Sequence, residues 1–146
     1  DGKSVAMLTI GDPSVYSTYM YIHKRVIQAG FMAVMISGVP SFCAAAARLG
    51  ISLGEMRDEI HIIPASYDVK DTVGYGGTCV YMKSGKKLAE LIEVLRTESK
   101  GEVGEGADMT VYGVTNCGME SERVYRGLDE LTEAKGYLTI VIVKYS

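Results

Sequence analysis

The sequence has no tryptophan, two histidines and three cysteines, and this scarcity argues against several kinds of site. Cys43, Cys79 and Cys117 are far apart and odd in number, and no Cys-x-x-Cys pair occurs. The cysteines therefore predict neither a disulfide framework nor a zinc site, and they favour a reducing cytoplasm. Neither His23 nor His61 has a serine or cysteine partner at the spacing of a hydrolytic triad, so no catalytic residue and no metal ligand is assigned.

Charge clusters and long apolar runs are also missing. The formal net charge is −3 and no Lys/Arg cluster stands out, which argues against a nucleic-acid surface. No apolar stretch approaches the roughly 18 residues of a membrane-spanning helix. With 47% apolar and 23% charged residues, the composition is typical of a globular protein with a buried core.

Short apolar runs alternate with helix-start signals along the chain, a pattern that favours an α/β fold. Strands are predicted at residues 4–10, 32–37, 60–64, 78–82, 109–114 and 137–144. Helices are predicted at residues 14–29, 86–96 and 122–131, with a short alanine-rich helix inside 38–50 and a helix-like stretch at 67–73. Residues 98–108 are rich in Gly and Glu and predict a loop.

The first two strands and their helix form a βαβ unit, which requires parallel strands. Two strands and one helix leave sheet edges uncovered, so residues 1–50 are predicted to be the end of a first domain with a linker helix. Residues 51–146 have enough elements for a complete second domain. Because the sequence also starts at Asp1 rather than Met, we expect the C-terminal part of a longer enzyme, and the exposed edges predict self-association.

Three loops follow predicted strands at the edge where α/β sheets bind ligands: residues 11–14, 38–41 and 114–119. The first, Gly-Asp-Pro-Ser, has two interpretations. Asp before Pro is a good helix start wherever it occurs. Alternatively, Gly11 lets the backbone approach a ligand while Asp12 and the helix N-terminus bind it. The loop is neither Gly-x-Gly-x-x-Gly nor a Walker sequence, so neither a dinucleotide nor ATP is predicted.

Four segments carry a resemblance to a known family. They are GDPSVYSTYMYIHKRV, SGVPSFCAAAARLGI, TCVYMKSGKKL and VTNCGMESERVYRGL, in this order along the chain. Together they resemble the tetrapyrrole methylases, and within that family they are most similar to enzymes that methylate carbon 20 of precorrin-2 or cobalt-factor II. The sequence departs from the family pattern at Ser37, where Pro is usual, at Pro40, where Ser or Thr is common, and at Thr115, where Glu is frequent.

The resemblance implies a two-domain α/β fold, S-adenosylmethionine as cofactor, a tetrapyrrole substrate and a homodimer. The cofactor contacts that it implies are Ile10, Gly11, Asp12, Val15, Pro40, Ser41, Met82 and Cys117. The family also has an upstream Gly-x-Gly-Pro-Gly-Asp loop that is not in this sequence, so these residues alone are expected to be inactive. Two alternatives stay open: a methylase of a later corrin intermediate, and a non-catalytic α/β fragment that dimerises.

Overall fold

The computed structural model describes residues 2–65, 68–101 and 108–146. The chain forms two compact units, Asp1–Ser41 and Phe42–Ser146. The domain boundary expected near residue 50 remains a prediction. In the structure, helix α2 (Ser41–Leu49) lies almost wholly in the second unit. Arg126 donates to the Leu49 carbonyl at 3.4 Å, a contact that ties the end of α2 to the second unit.

Helix α1 of the first unit, Tyr19–Gln28, is shorter than the predicted helix 14–29. The helix does not begin at Asp12–Pro13 because the Asp12 carboxylate accepts the Ser14 amide at 2.8 Å and closes a local turn instead. Tyr16 has φ +49°, which is incompatible with a helix. The predicted stop at Gly30 is confirmed, since Gly30 follows the C-cap Ala29 and has φ +82°.

The strands predicted at residues 4–10 and 32–37 are wrong for this structure. No strand is present among residues 2–41. A strand needs a neighbour that accepts and donates its backbone hydrogen bonds, and apolar patterning alone supplies none. The apolar side chains of these segments are correspondingly exposed, among them Val5, Leu8, Ile10, Met32, Val34 and Ile36.

In the described residues of the second unit, five strands and two α-helices follow α2. The strands are β1 (Ile60–Pro64), β2 (Thr78–Met82), β3 (Met109–Thr115), β4 (Arg123–Arg126) and β5 (Thr139–Tyr145). The helices are α3 (Leu88–Lys100) and the single turn α4 (Leu128–Leu131). The predicted strands 60–64 and 78–82 are confirmed with the same bounds, and those at 109–114 and 137–144 are confirmed with shifted ends.

The five strands form one mixed sheet in the order β1-β2-β5-β3-β4. β1 and β2 are parallel, whereas β5 is antiparallel to both β2 and β3, and β4 is antiparallel to β3. As a result, β1, β2 and β3 run in one direction. Their carboxyl ends lie at the same edge of the sheet, together with the start of β5.

The helix predicted at 122–131 is wrong: β4 and α4 occupy this segment. Val124 lies opposite Val114 and Tyr125 opposite Gly113, so the apolar residues pair across a sheet. Gly127 follows with φ +89° and separates the strand from the single turn of helix. Val and Tyr favour strands, and the local pattern could not show that β3 would supply the partner.

Helix α3 begins and ends later than the predicted 86–96 and is preceded by a 3-10 helix at Ser84–Lys86. Its predicted apolar face is confirmed, because Leu88, Leu91, Ile92 and Leu95 are all buried against the sheet core. A 3-10 helix at Lys70–Thr72 lies within the helix-like stretch predicted at 67–73, whose first residue lies outside the described residues. Most of the predicted loop 98–108 also lies outside them. Over the described ranges, no helix has the length and apolarity to cross a bilayer.

Candidate functional site

The Asp12 carboxylate joins two of the candidate loops in the first unit. Its Oδ1 accepts hydrogen bonds from the Ser14 amide at 2.8 Å and the Ser14 hydroxyl at 2.5 Å. Its Oδ2 accepts from the Ser37 hydroxyl at 2.6 Å and the Gly38 amide at 3.0 Å. A carboxylate has about four acceptor positions, so these four donors occupy all of them. Asp12 therefore fastens the 11–14 loop to the segment that leads into the 38–41 loop.

These hydrogen bonds hold the Asp12 pKa well below its ordinary value of 3.8. The Ser14 hydroxyl contributes most, followed by the Ser37 hydroxyl, and the two backbone amides add to them. The carboxylate is therefore charged over the whole physiological range. The departure at Ser37 has a structural consequence, since proline could not donate the hydrogen bond that serine makes here.

Two glycines allow the same two loops to approach closely. A Cβ on Gly38 would collide with the Gly11 carbonyl oxygen, so no side chain can be added there without moving the backbone. Gly11 itself has φ +83°, and a Cβ on it would lie 3.6 Å from the Val39 carbonyl oxygen. The loops therefore present closely spaced backbone groups rather than side chains, which suits a ligand that binds to main-chain atoms.

The remaining predicted contacts of the first unit lie on these loops in different environments. Ile10 is 79% exposed and Val15 is partly buried beside the Asp12 turn. Pro40 and Ser41 are partly buried where the second loop enters α2. The structure thus brings the predicted residues of the first two loops together within one unit.

In the second unit, Met82 and Cys117 lie at the sheet edge formed by the carboxyl ends of the parallel strands. Met82 ends β2 and Cys117 follows β3 by two residues. Because β5 lies between β2 and β3, the start of β5 separates the two residues. The Asn116 amide donates to the Leu138 carbonyl at 3.0 Å, which fastens the loop after β3 to the segment before β5.

The turn after Met82 is tightly held. Lys83 has φ +58°, and the buried Ser84 hydroxyl donates to the Thr139 carbonyl at 3.0 Å. A Cβ on Gly85 would collide with the Gly136 carbonyl oxygen, so the turn packs directly on the segment before β5. Met82 is 7% exposed, and its carbonyl accepts the Ala65 amide at 2.8 Å. The Met82 side chain is therefore buried beneath this edge of the sheet.

The loop that carries Cys117 is the third candidate loop, and the charged residues around it were not predicted. Burial raises the pKa of the Cys117 thiol, and the nearby Glu122 carboxylate raises it further. Glu122 in turn pairs with Arg48 of α2, which lies 74 residues earlier in the sequence. No local sequence pattern predicts this pair, because a contact over such a separation depends on the fold. Across the three described ranges, no group of His, Cys, Asp and Glu residues is arranged to hold a metal ion.

Comparison with known proteins agrees with the resemblance of the four segments. The model of the family described as tetrapyrrole (corrin/porphyrin) methylases matches residues 1–132. Among curated proteins, the chain is 33% identical over 147 residues to a probable cobalt-precorrin-2 C(20)-methyltransferase of Methanocaldococcus jannaschii. This match covers 99% of the chain and 60% of that relative, so the chain spans less than two thirds of the relative's length.

Solved structures show the same fold at low sequence identity. A cobalt precorrin-4 methyltransferase matches with a TM-score of 0.72 at 17% identity, over 92% of this chain and 61% of that chain. A uroporphyrin-III C-methyltransferase from Thermus thermophilus, complexed with S-adenosyl homocysteine, matches with a TM-score of 0.67 at 16% identity, over 92% and 62% of the two chains. Because the family model matches residues 1–132 and a curated relative aligns along almost the whole sequence, this chain belongs to the tetrapyrrole methylase family.

Proposed function

We propose that this chain is the cofactor-binding and substrate-binding part of a methyltransferase that uses S-adenosylmethionine to methylate carbon 20 of precorrin-2 or cobalt-factor II. The observation that carries the proposal is the 33% identity, over 99% of this chain, to the curated C(20)-methyltransferase. The solved relative complexed with S-adenosyl homocysteine supports the choice of cofactor.

The cofactor contacts we propose are Ile10, Gly11, Asp12, Val15, Pro40 and Ser41 in the first unit and Met82 and Cys117 in the second. The first-unit loops fit such a ligand, because the absence of a Cβ at Gly11 and Gly38 leaves main-chain groups accessible. Asp12 contributes by fixing both loops, since its acceptor positions are already occupied. At the edge of the sheet in the second unit, Cys117 is partly exposed whereas Met82 is buried.

The residues on this list bind and orient, and none is required as a covalent nucleophile. When bound, S-adenosylmethionine supplies a methyl group activated by a sulfonium. The macrocycle's own conjugated nitrogens make its meso carbon nucleophilic, and after the methyl group is attached this carbon releases its proton to a base. The role of the chain is then to align the methyl donor with the meso carbon and to exclude water. Alignment alone can lower the activation barrier by several kcal/mol. The tight glycine contacts and the saturated Asp12 carboxylate are the kind of preorganised support that alignment needs.

The exposed apolar side chains near the second-unit edge are consistent with a large planar substrate. Met119, Tyr137 and Leu138 are 42%, 55% and 43% exposed. Met119 follows β3, which ends at this edge, and Tyr137 and Leu138 precede β5, which begins there. We also propose that the functional enzyme is a homodimer, as the resemblance implies. A methylase of a later corrin intermediate is the alternative, and the fold shared with the cobalt precorrin-4 methyltransferase is compatible with it.

Calorimetric titration with S-adenosyl homocysteine tests the cofactor site directly. We expect the chain to bind it, and we expect Gly38→Ala to weaken binding at least about tenfold because the added Cβ displaces the Gly11 carbonyl. Gly50→Ala is the control for general destabilisation: Gly50 has φ +69°, so alanine strains the backbone there, but its Cβ position lies in open space. Equal losses of affinity in both variants, or no binding by the parent chain, would count against the site.

Transfer of labelled methyl groups tests the substrate. Precorrin-2, cobalt-factor II and precorrin-4 are offered in parallel to the full-length enzyme that contains this chain, because these residues alone are expected to be inactive, and the product is located by NMR. Methylation at carbon 20 of either of the first two supports the proposal, whereas preferential methylation of precorrin-4 supports the alternative.

A further inference from the structure

Residues 116–122, here called the Cys117 loop, connect β3 to β4 and adopt a conformation that needs support. Asn116 has φ +51° and Gly118 has φ +79°. The loop contains two successive turns, each closed by a backbone hydrogen bond of 3.0 Å: the Met119 amide donates to the Asn116 carbonyl, and the Glu122 amide donates to the Met119 carbonyl. These bonds shape the loop, but both join residues within it.

The Glu122 carboxylate closes the loop with one oxygen and anchors it with the other. Oε2 accepts the Gly118 amide at 2.8 Å, directly after Cys117. Oε1 accepts the Arg48 guanidinium of α2 in an ion pair. The side chain of Glu122 is 17% exposed, so this carboxylate is largely enclosed between the loop and the helix. One side chain thus connects the backbone beside Cys117 to a separate element of the same unit.

The charge of Glu122 is stabilised by the same contacts. The Gly118 amide and then Arg48 lower the pKa of Glu122, so the carboxylate stays ionised and the two hydrogen bonds are charge-assisted. The charged groups that act on the Cys117 thiol are Glu122, which raises its pKa beyond the effect of burial, and Arg48, which lowers it. Cys117 therefore reports on whether the carboxylate is in place.

We propose that Glu122, held by Arg48, is a positioning residue that fixes the Cys117 loop in the conformation that presents Cys117 at the sheet edge. What the loop then binds rests on the proposed function, whereas the fixing of the loop does not. Glu122 lies within the predicted family segment but was not among the predicted contacts, and Arg48 comes from a different segment of the chain.

The test compares Glu122→Gln with Glu120→Gln in the whole 146-residue chain. Glu120 is exposed in the same loop, and no hydrogen bond or ion pair of its side chain occurs within the described parts of the chain. Gln at 122 keeps the size of the side chain but cannot satisfy both donors with acceptors of equal strength. Arg48→Gln is a second variant that removes the anchor at an exposed position and leaves the Gly118 contact in place.

Three quantities are measured: amide hydrogen exchange at Gly118, the alkylation rate of Cys117 as a function of pH, and the affinity for S-adenosyl homocysteine. We expect Glu122→Gln to speed exchange at Gly118 by about tenfold and to shift the Cys117 alkylation profile to lower pH. We expect a loss of affinity of about tenfold, with a melting temperature close to that of Glu120→Gln. Arg48→Gln should change exchange in the same direction but less.

Exchange and alkylation profiles identical to those of Glu120→Gln would overturn the proposal. A variant that loses affinity only in proportion to a large fall in melting temperature would also overturn it, because the role would then be general stability. If the parent chain does not bind S-adenosyl homocysteine while Gly118 exchange and Cys117 alkylation still respond to Glu122→Gln, the positioning role is supported and the proposed function fails.

Discussion

The hydroxyl of Ser37 donates a hydrogen bond of 2.6 Å to the carboxylate of Asp12, 25 residues earlier in the sequence. The contact joins the Gly-Asp-Pro loop to the segment before Gly38, and the Gly38 amide binds the same oxygen. A helix-start role for Asp12, one of the two interpretations of the sequence, would have placed its carboxylate on the first turn of α1. The structure instead makes Asp12 the connection between two loops.

Weakening this connection is expected to reduce cofactor affinity more than it reduces overall stability. Ser37→Ala removes one of four donors, and we expect about threefold weaker binding of S-adenosyl homocysteine. Asp12→Asn replaces an acceptor oxygen by an amide that faces donors, and we expect a larger loss, about tenfold or more. Calorimetric titration of both variants measures the loss of affinity, and their melting temperatures measure the loss of stability.

Thr18→Ala is the control for the Asp12 and Ser37 variants. Thr18 precedes α1 and makes no side-chain capping hydrogen bond, so its replacement should leave affinity unchanged. If Asp12→Asn and Thr18→Ala bind equally well, Asp12 has no influence on the cofactor site.

A size match in the second unit predicts strong coupling between two core positions. A Cβ placed on Gly113 of β3 would lie 2.5 Å from Leu131 Cδ1, so the fully buried leucine occupies the space that the glycine leaves. Leu131→Ala should cost about 3 kcal/mol by opening a cavity, and Gly113→Ala about 2 kcal/mol by overpacking. The double variant should be less destabilised than the sum of the two, as measured by urea unfolding. Strict additivity would show that the two sites do not share this space.

The elements that the sequence predicted well are those whose pattern is settled locally. β1 and β2 are short apolar runs between turn residues, and α3 has an apolar face at helical spacing. The strands predicted in the first unit had the same local signal but found no hydrogen-bond partner among residues 2–41. The prediction for residues 122–131 failed in the opposite way. Val124 and Leu128 fit the apolar face of a helix, but Val124 pairs with Val114 across the sheet and the segment forms a strand.

The residues of the candidate site show the same difference between local patterns and contacts that depend on the fold. Gly11 and Asp12 could be predicted as site residues because the Gly-Asp-Pro sequence is continuous and the family segments surround it. The contacts of Ser37 and Arg48 could not be predicted, because they join residues 25 and 74 positions apart. Such contacts follow from the packing within each unit, which a single sequence does not display.

The raised pKa of Glu98 predicts that the free energy of unfolding falls as the pH rises. Burial raises its pKa above the ordinary value of 4.5, although the Tyr145 hydroxyl, which donates to it at 2.9 Å, opposes the shift. Above about pH 4.5 the unfolded chain releases this proton while the folded chain retains it. Stability is therefore greatest below the unfolded pKa and falls as the pH rises through the folded pKa.

Urea unfolding midpoints between about pH 4 and about pH 7 measure this contribution. Glu98→Gln should flatten the profile in that window, because the neutral amide has no proton to lose. Tyr145→Phe should extend the fall to higher pH, since it removes the donor that favours the carboxylate. Glu93→Gln, at an exposed position on the same helix, is the control and should leave the slope as it is. A slope that Glu98→Gln leaves unchanged would assign the effect to other groups.

The three cysteines provide a footprint of the proposed cofactor site in the second unit. Cys43 is exposed and Cys117 is partly buried, whereas Cys79 is fully buried and burial raises its pKa to about 11. Alkylation of the native chain, followed by peptide mass spectrometry, should therefore modify Cys43 fastest and leave Cys79 unmodified.

If Cys117 contacts the cofactor, saturating S-adenosyl homocysteine should slow its alkylation by about fivefold or more and leave the Cys43 rate unchanged. Adenosine serves as the control ligand, because it lacks the amino-acid portion of the cofactor. Protection of Cys43 and Cys117 to the same degree would indicate general tightening of the fold. Unchanged alkylation of Cys117 at a ligand concentration that saturates the calorimetric titration would remove Cys117 from the proposed contacts and leave the cofactor site to the loops of the first unit and to Met82.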